Sequence, residues 1–176
     1  MESAHAEHIK IVNTSSQKIN ELEMLSLAHK YQDLVLKYWN VPKYPITIYF
    51  ADDWEESAKA SIKENYIAYH WYRDEPFIFI NMSNVRFYKK NLTVVLTHEL
   101  GEATVNPFVD QYVIYKNRTV YLEITDPTST TFTLGRYKVA DFALPSFYDI
   151  KAKGPYSYKK SLKRPFKTNT GFEYIP

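Results

Sequence analysis

A chain of 176 residues, 45% of them hydrophobic, is long enough to form one domain that buries about two-thirds of its unfolded surface, so a metal ion here serves function before it serves folding. There is no cysteine, which excludes disulfides and thiolate metal sites and leaves five histidines and the carboxylates as the available ligands. The formal charge of +2 is uneven: residues 151 to 176 carry seven Lys and Arg against Glu173 alone, a formal +6 that leaves −4 on residues 1 to 150.

The first residues, MESAHAEHIK, lack the apolar run of a secretory signal, and no stretch approaches the roughly 18 apolar residues of a membrane span. The expectation is a protein intracellular as synthesised, with no membrane partner. HIKIVN alternates apolar and polar residues and predicts a first strand. Met24, Leu27, Ala28, Tyr31, Leu34, Val35 and Tyr38 then recur at helical spacing and predict a long amphipathic helix from Gln17 to Trp39, closed by Pro42 and Pro45. PITIYF reads as a buried strand and DDWEESAKASIKEN as a polar helix or lid. YIAYHWY and FIFIN, joined by RDEP, predict a hairpin.

A helix over residues 92 to 105 follows, with Asn91 as N-cap and Pro107 as stop. TVYLEIT, TFTLG and KVADFAL are strand-like again, punctuated by Pro127 and Gly135. Strands, then a helix, then strands indicate an α+β fold, a single domain over residues 1 to 150 with helices packed on a mixed sheet. In residues 151 to 176, Tyr156, Tyr158, Phe166, Phe172 and Tyr174 alternate irregularly with Pro155, Pro165 and Pro176. No helical or strand period emerges, so this segment is expected to be an extended basic arm docked on its own domain or on a neighbouring subunit. Basic residues with aromatics can also track single-stranded nucleic acid, but the acidic body argues against that partner.

The helix at 92 to 105 contains the chemistry. In VVLTHELGEATVNPFVD, His98, Glu99 and Glu102 form H-E-x-x-E. His98 and Glu102 are four apart, so their side chains project together from neighbouring turns and can hold one ion in common. Glu99 stands about 100° round the helix from His98, where an H-E-x-x-H helix sets its general base. The flanking residues make this the most apolar helix of the chain, so three ionisable groups on it are partly buried or line a cleft. Gly101 inside the helix costs roughly 1 kcal/mol relative to Ala and signals close packing.

LTHELGEATVNPFVD, LEITDP and VADFALPSFYD resemble the motifs of a family of small phage and bacterial proteins, and AYHWYRDEPFIFIN resembles that family's G-Y-H-D segment with its following strand. The resemblance covers about residues 8 to 150. The helix is also similar to that of the plant exordium-like proteins, which pair H-E-L-x-E-x-x-x-N-P with a later E-I-G-D. The resemblance implies a zincin-like domain, with an active-site helix under a mixed sheet. This chain departs from the pattern at Gly101, at Asn106 where the phage proteins have Asp, and at Ala140; the basic tail has no counterpart.

By the same resemblance the third metal ligand comes from the E-x-x-D pair of LEITDP, Glu123 or Asp126 or both. On a continuous strand these two face opposite sides, but Asp126 precedes Pro127, where the alternation can break and where Asp also caps a turn. His70 falls at the family's Y-H position, as an extra ligand or an oxyanion donor. Asp141 and Asp149 are expected to fix their loop. One His with carboxylates makes an oxygen-rich set that is compatible with manganese or calcium, while the resemblance implies zinc first. The activity implied is metal-dependent hydrolysis of a peptide or protein, with Glu99 as general base. The alternative is a virion-associated structural protein that keeps a degenerate site and docks through residues 151 to 176.

Overall fold

The computed structural model describes residues 8–176; residues 1–7, which carry most of the reading that no secretory signal is present, lie outside the described residues. The chain runs β1 (Ile9–Asn13), α1 (Glu21–Leu36), β2 (Ile46–Ala51), β3 (Ala68–Tyr72), β4 (Pro76–Asn81), α2 (Met82–Phe87), α3 (Leu92–Val105), β5 (Tyr112–Tyr115), β6 (Arg118–Tyr121), β7 (Thr131–Leu134) and β8 (Tyr137–Ala140). The architecture is mixed α and β. The main sheet has the order β1-β2-β4-β3, with β1, β2 and β4 parallel and β3 antiparallel at one edge.

Alternation along β2 sorts the two faces of the sheet. Ile46, Ile48 and Phe50 join Ile78 and Ile80 against Leu27 and Tyr31 of α1 and Leu96 and Leu100 of α3, which forms the main core. On the opposite face Phe77 and Phe79 pack with Tyr49, Tyr69, Trp54 and Ile62. Trp54 and Ile62 belong to the segment expected to be a polar helix or lid. It contains no regular helix, only turns such as Ala58 N to Glu55 O and Ser61 N to Ala58 O. With two large apolar side chains to bury, it has too little packing to hold an isolated helix together.

Helix α1 is shorter than expected at both ends. Asn20 caps it through a bond from Glu23 N, and beyond Leu36 the chain turns so that buried Trp39 donates Nε1 to Ala143 O at 2.9 Å. Strands β5 and β6 form a hairpin whose two turn residues, Lys116 and Asn117, have φ of 50° and 61°, the left-handed pair that a two-residue turn requires. Strands β7 and β8 form a second hairpin, turning at Gly135 with φ 63°.

Residues 151–176 form no regular helix or strand and lie docked on their own domain. Leu162, Phe166 and Tyr174 are buried in the same core as the helices, and the Phe166 ring stacks on Tyr115 with centroids 4.0 Å apart. Backbone bonds from Leu144 N to Tyr156 O, Tyr158 N to Phe142 O and Phe166 N to Phe147 O fasten the segment to the body. An aperiodic chain can still supply core when its aromatics reach hollows left by other elements. Among the described residues no helix is long and apolar enough to cross a membrane.

Candidate metal centre

Helix α3 is positioned by bonds at both flanks. Asn91 Oδ1 accepts from Thr93 N at 3.0 Å, and Thr93 Oγ1 donates to Lys138 O at 2.6 Å. One turn on, Thr97 Oγ1 donates to Thr93 O at 2.7 Å and accepts from Ala140 N at 2.9 Å, which locks the helix to β8. Packed also against α1, β3 and β4, the helix buries Glu99 and Glu102 along with its apolar residues. His98 Nε2 lies 3.7 Å from Glu102 Oε2, as the i,i+4 spacing requires.

The other groups arrive from two segments, β3 and the turn that follows β6. In the β3–β4 register His70 is opposite Ile78, on the helix-facing side of the sheet, so its ring reaches toward α3. Its Nε2 lies 2.9 Å from Glu123 Oε2 and 3.9 Å from Glu102 Oε1. The strand expected through TVYLEIT stops at Tyr121. Glu123 N bonds to Tyr121 O, Asp126 N to Glu123 O at 3.1 Å, and Ala143 N takes Ile124 O at 2.7 Å. That turn abolishes strand alternation, and Glu123 and Asp126 each reach an imidazole, Glu123 that of His70 and Asp126 that of His98, whose Nε2 stands 3.0 Å from Asp126 Oδ1.

Three neighbours hold these groups in place. Asn106 donates Nδ2 to Glu123 Oε1 at 3.3 Å while its Oδ1 accepts from Asp110 N and Gln111 N at 2.9 and 2.8 Å. Thr125, between Glu123 and Asp126, donates Oγ1 to His98 O at 2.8 Å. Gly101 faces Thr125 where a larger residue would collide. Sequence reasoning missed the roles of Asn106 and Thr125. Their signal was present only as adjacency to the expected ligands.

The electrostatics are those of a pocket crowded with carboxylates around two imidazoles. Glu99 is 8% exposed and Glu102 5%, and neither Glu99 Oε2 nor Glu102 Oε2 has a hydrogen-bond partner. Burial, then the charges of Glu99, Asp126 and Glu123, push the Glu102 carboxyl well above its ordinary range. Burial raises Glu99 too, against the lowering effect of His98 and His70. Burial disfavours charge on His70, but its bond to Glu123 and the surrounding carboxylates outweigh this and raise its pKa. His98 is raised in the same way through Asp126, although about a third of its side chain (36%) still opens to solvent. Tyr148 and Tyr174 also turn buried, unpartnered phenol oxygens into this field; burial raises both pKa values and the site's carboxylates add to it.

Buried acceptors without donors are costly unless a cation satisfies them. Two sets of side chains are close enough to hold one, His70 with Glu102 and Glu123, and His98 with Glu99 and Glu102. A cleft of about 410 Å³ opens onto His98 and Glu99, walled by Tyr66, Ile67 and Ala68 on one side and Val94 and Val95 on the other. The donor set, imidazole nitrogen and carboxylate oxygen, fits zinc or manganese. Asp141 and Asp149 are elsewhere: Asp141 is bonded to Thr130 and Ser161, and Asp149 to Lys151 N. Comparison with protein-family models, curated proteins and solved structures found no match to this chain.

Proposed function

We propose that this protein is a zincin-like, divalent-metal-dependent hydrolase that cleaves a peptide or protein amide bond. The observation that carries the reading is the meeting of His98, Glu102 and Asp126 beside a buried Glu99 whose free oxygen lies next to an open cleft. His98, Glu102 and Asp126 would hold the ion, zinc first, with manganese or calcium as substitutes. When bound, such a cation supplies Lewis acidity, polarising a carbonyl and drawing the pKa of water toward ~7.

The remaining steps belong to the chain. Glu99, raised toward neutrality by burial, accepts a proton from the attacking water and returns it to the departing amine. The apolar wall of Ile67, Val94 and Val95 limits bulk water around that transfer. His70 supports the acidic wall through Nε2, which is engaged by Glu123, while its buried Nδ1 has no hydrogen-bond partner.

The test is Glu99→Gln in metal-loaded protein, assayed against peptide libraries. Turnover should fall by about 10² to 10⁴-fold, the usual weight of a positioned general base, while metal content and melting temperature stay unchanged. Equal activity in both proteins would refute the mechanism. A wild type inert on every peptide would favour the alternative of a virion-associated structural subunit with a degenerate site.

A further inference from the structure

The pocket offers more ligands than one ion uses, and their arrangement is paired. His70 Nε2 has Glu123 Oε2 at 2.9 Å and Glu102 Oε1 at 3.9 Å. His98 Nε2 has Asp126 Oδ1 at 3.0 Å and Glu102 Oε2 at 3.7 Å. Each imidazole therefore has a carboxylate of its own and faces its own oxygen of Glu102. Ligand atoms held about 2.1 Å from one ion stand roughly 3.0 to 3.5 Å apart, so the four imidazole–carboxylate distances, 2.9 to 3.9 Å, are near that spacing before any cation draws them in.

We propose that the pocket binds two first-row divalent cations, one among His70, Glu123 and Glu102 Oε1, the other among His98, Asp126 and Glu102 Oε2, with the Glu102 carboxylate bridging them. The proposal rests on the metal-site reading given above and adds the second ion to it. Charge favours two. Glu102, Glu123 and Asp126, the carboxylates of the two sets, carry a formal −3 that one divalent ion would leave negative and a pair would offset. Uncompensated charge in a buried site is strongly unfavourable.

Glu102 is the residue that decides between one ion and two. It is nine-tenths buried, lies between the two imidazoles, and has an oxygen without a hydrogen-bond partner. A carboxylate so placed spans two ions about 3.5 to 4 Å apart, the separation found in two-metal hydrolytic sites. Glu99 is also close enough to His98 and Glu102 to serve as a ligand, and in this assignment it is kept as the general base. The second ion also gives His70 and Glu123 a function that a one-ion site leaves them without, and Asn106 becomes the group that orients a ligand by holding Glu123 Oε1.

The experiment uses the full chain stripped of metal and titrated with Mn²⁺, read by elemental analysis and by electron paramagnetic resonance. Wild type is expected to take up about two Mn²⁺ per chain and to show the exchange-coupled spectrum of a bridged pair. His70→Ala, and Glu123→Gln as a milder variant that keeps the shape of the side chain, should each bind about one Mn²⁺ with an uncoupled spectrum and an unchanged far-ultraviolet dichroism. His98→Ala should likewise drop to about one. Saturation of wild type at one uncoupled ion, with Glu123→Gln binding as many, would overturn the two-ion site and leave the hydrolase reading standing. Folded wild type that binds no Mn²⁺ or Zn²⁺ at all would remove both.

Discussion

A Cβ built on Gly101 would lie 2.8 Å from Cγ2 of Thr125 and 3.4 Å from the Tyr31 hydroxyl, so α3 and the turn carrying Glu123 and Asp126 touch at the one residue without a side chain. Thr125 cannot yield freely, because it is buried and its hydroxyl is bonded to His98 O. On an open helix face Gly→Ala would stabilise by about 1 kcal/mol. Here Gly101→Ala is expected to destabilise by about 1 to 3 kcal/mol through overpacking and to weaken metal binding, because the displaced turn carries two ligands. Thr125→Ser removes the colliding methyl and keeps the hydroxyl, so the double variant should regain most of the loss. Urea unfolding and metal titration of the four proteins measure this coupling; additive effects would show that the contact is not the cause.

Titration of the metal-free protein should give a second signature. His70 and His98 have folded pKa values raised above 6.5, so their contribution is full below that value and is lost as pH rises through the raised ones. Glu99 and Glu102 are raised above 4.5, so folding is favoured while they are protonated, and that advantage also disappears on going up in pH. Asp126 is lowered below 3.8 and matters only in more acidic solution. The melting temperature of chelator-treated protein should therefore fall between about pH 5 and pH 8, whereas zinc or manganese, which binds the deprotonated ligands, should flatten or reverse that slope. A flat or rising slope in the chelated protein would contradict this electrostatic picture.

Periodicity made the helix at Leu92–Val105 legible, because its cap, its stop and its apolar positions are all local signals. The same was true of β2 and of the β3–β4 hairpin, whose alternation with RDEP between needs no distant partner. What local pattern could not reveal was tertiary. Glu123 and Asp126 share a face because Ile124 O is bonded by Ala143 N from another segment, which ends the strand early. The tail gave no period because Leu162, Phe166 and Tyr174 are placed by a core built by residues earlier in the chain, Phe166 and Tyr174 both packing on Phe147. His70 could be suspected from its position, but only the register against Ile78 turns it toward α3.

Asp141 joins the tail to the body, and its removal should show how far the two depend on each other. The residue is fully buried, and its two oxygens have separate tasks. Oδ1 accepts from Phe142 N at 2.9 Å and Lys159 N at 3.0 Å, and Oδ2 accepts from the hydroxyls of Thr130 at 3.1 Å and Ser161 at 2.8 Å. Asp141→Ala would strand the buried Phe142 N–H, at about 1 to 3 kcal/mol, leave the part-buried Lys159 N–H and two hydroxyls without their acceptor, and free the segment that places Leu162, Phe166 and Tyr174 in the core. A loss of about 3 to 5 kcal/mol is expected, a large part of the 5 to 15 kcal/mol that a domain of this kind has in total. Asp141→Asn keeps one oxygen for the two backbone donors and places an amide against the two hydroxyls, which can turn to accept, so it should cost only about 1 to 2 kcal/mol. Denaturant unfolding of both variants measures the difference. Near-equal losses would mean that the backbone bonds at Phe142 and Lys159 are not what anchors the tail.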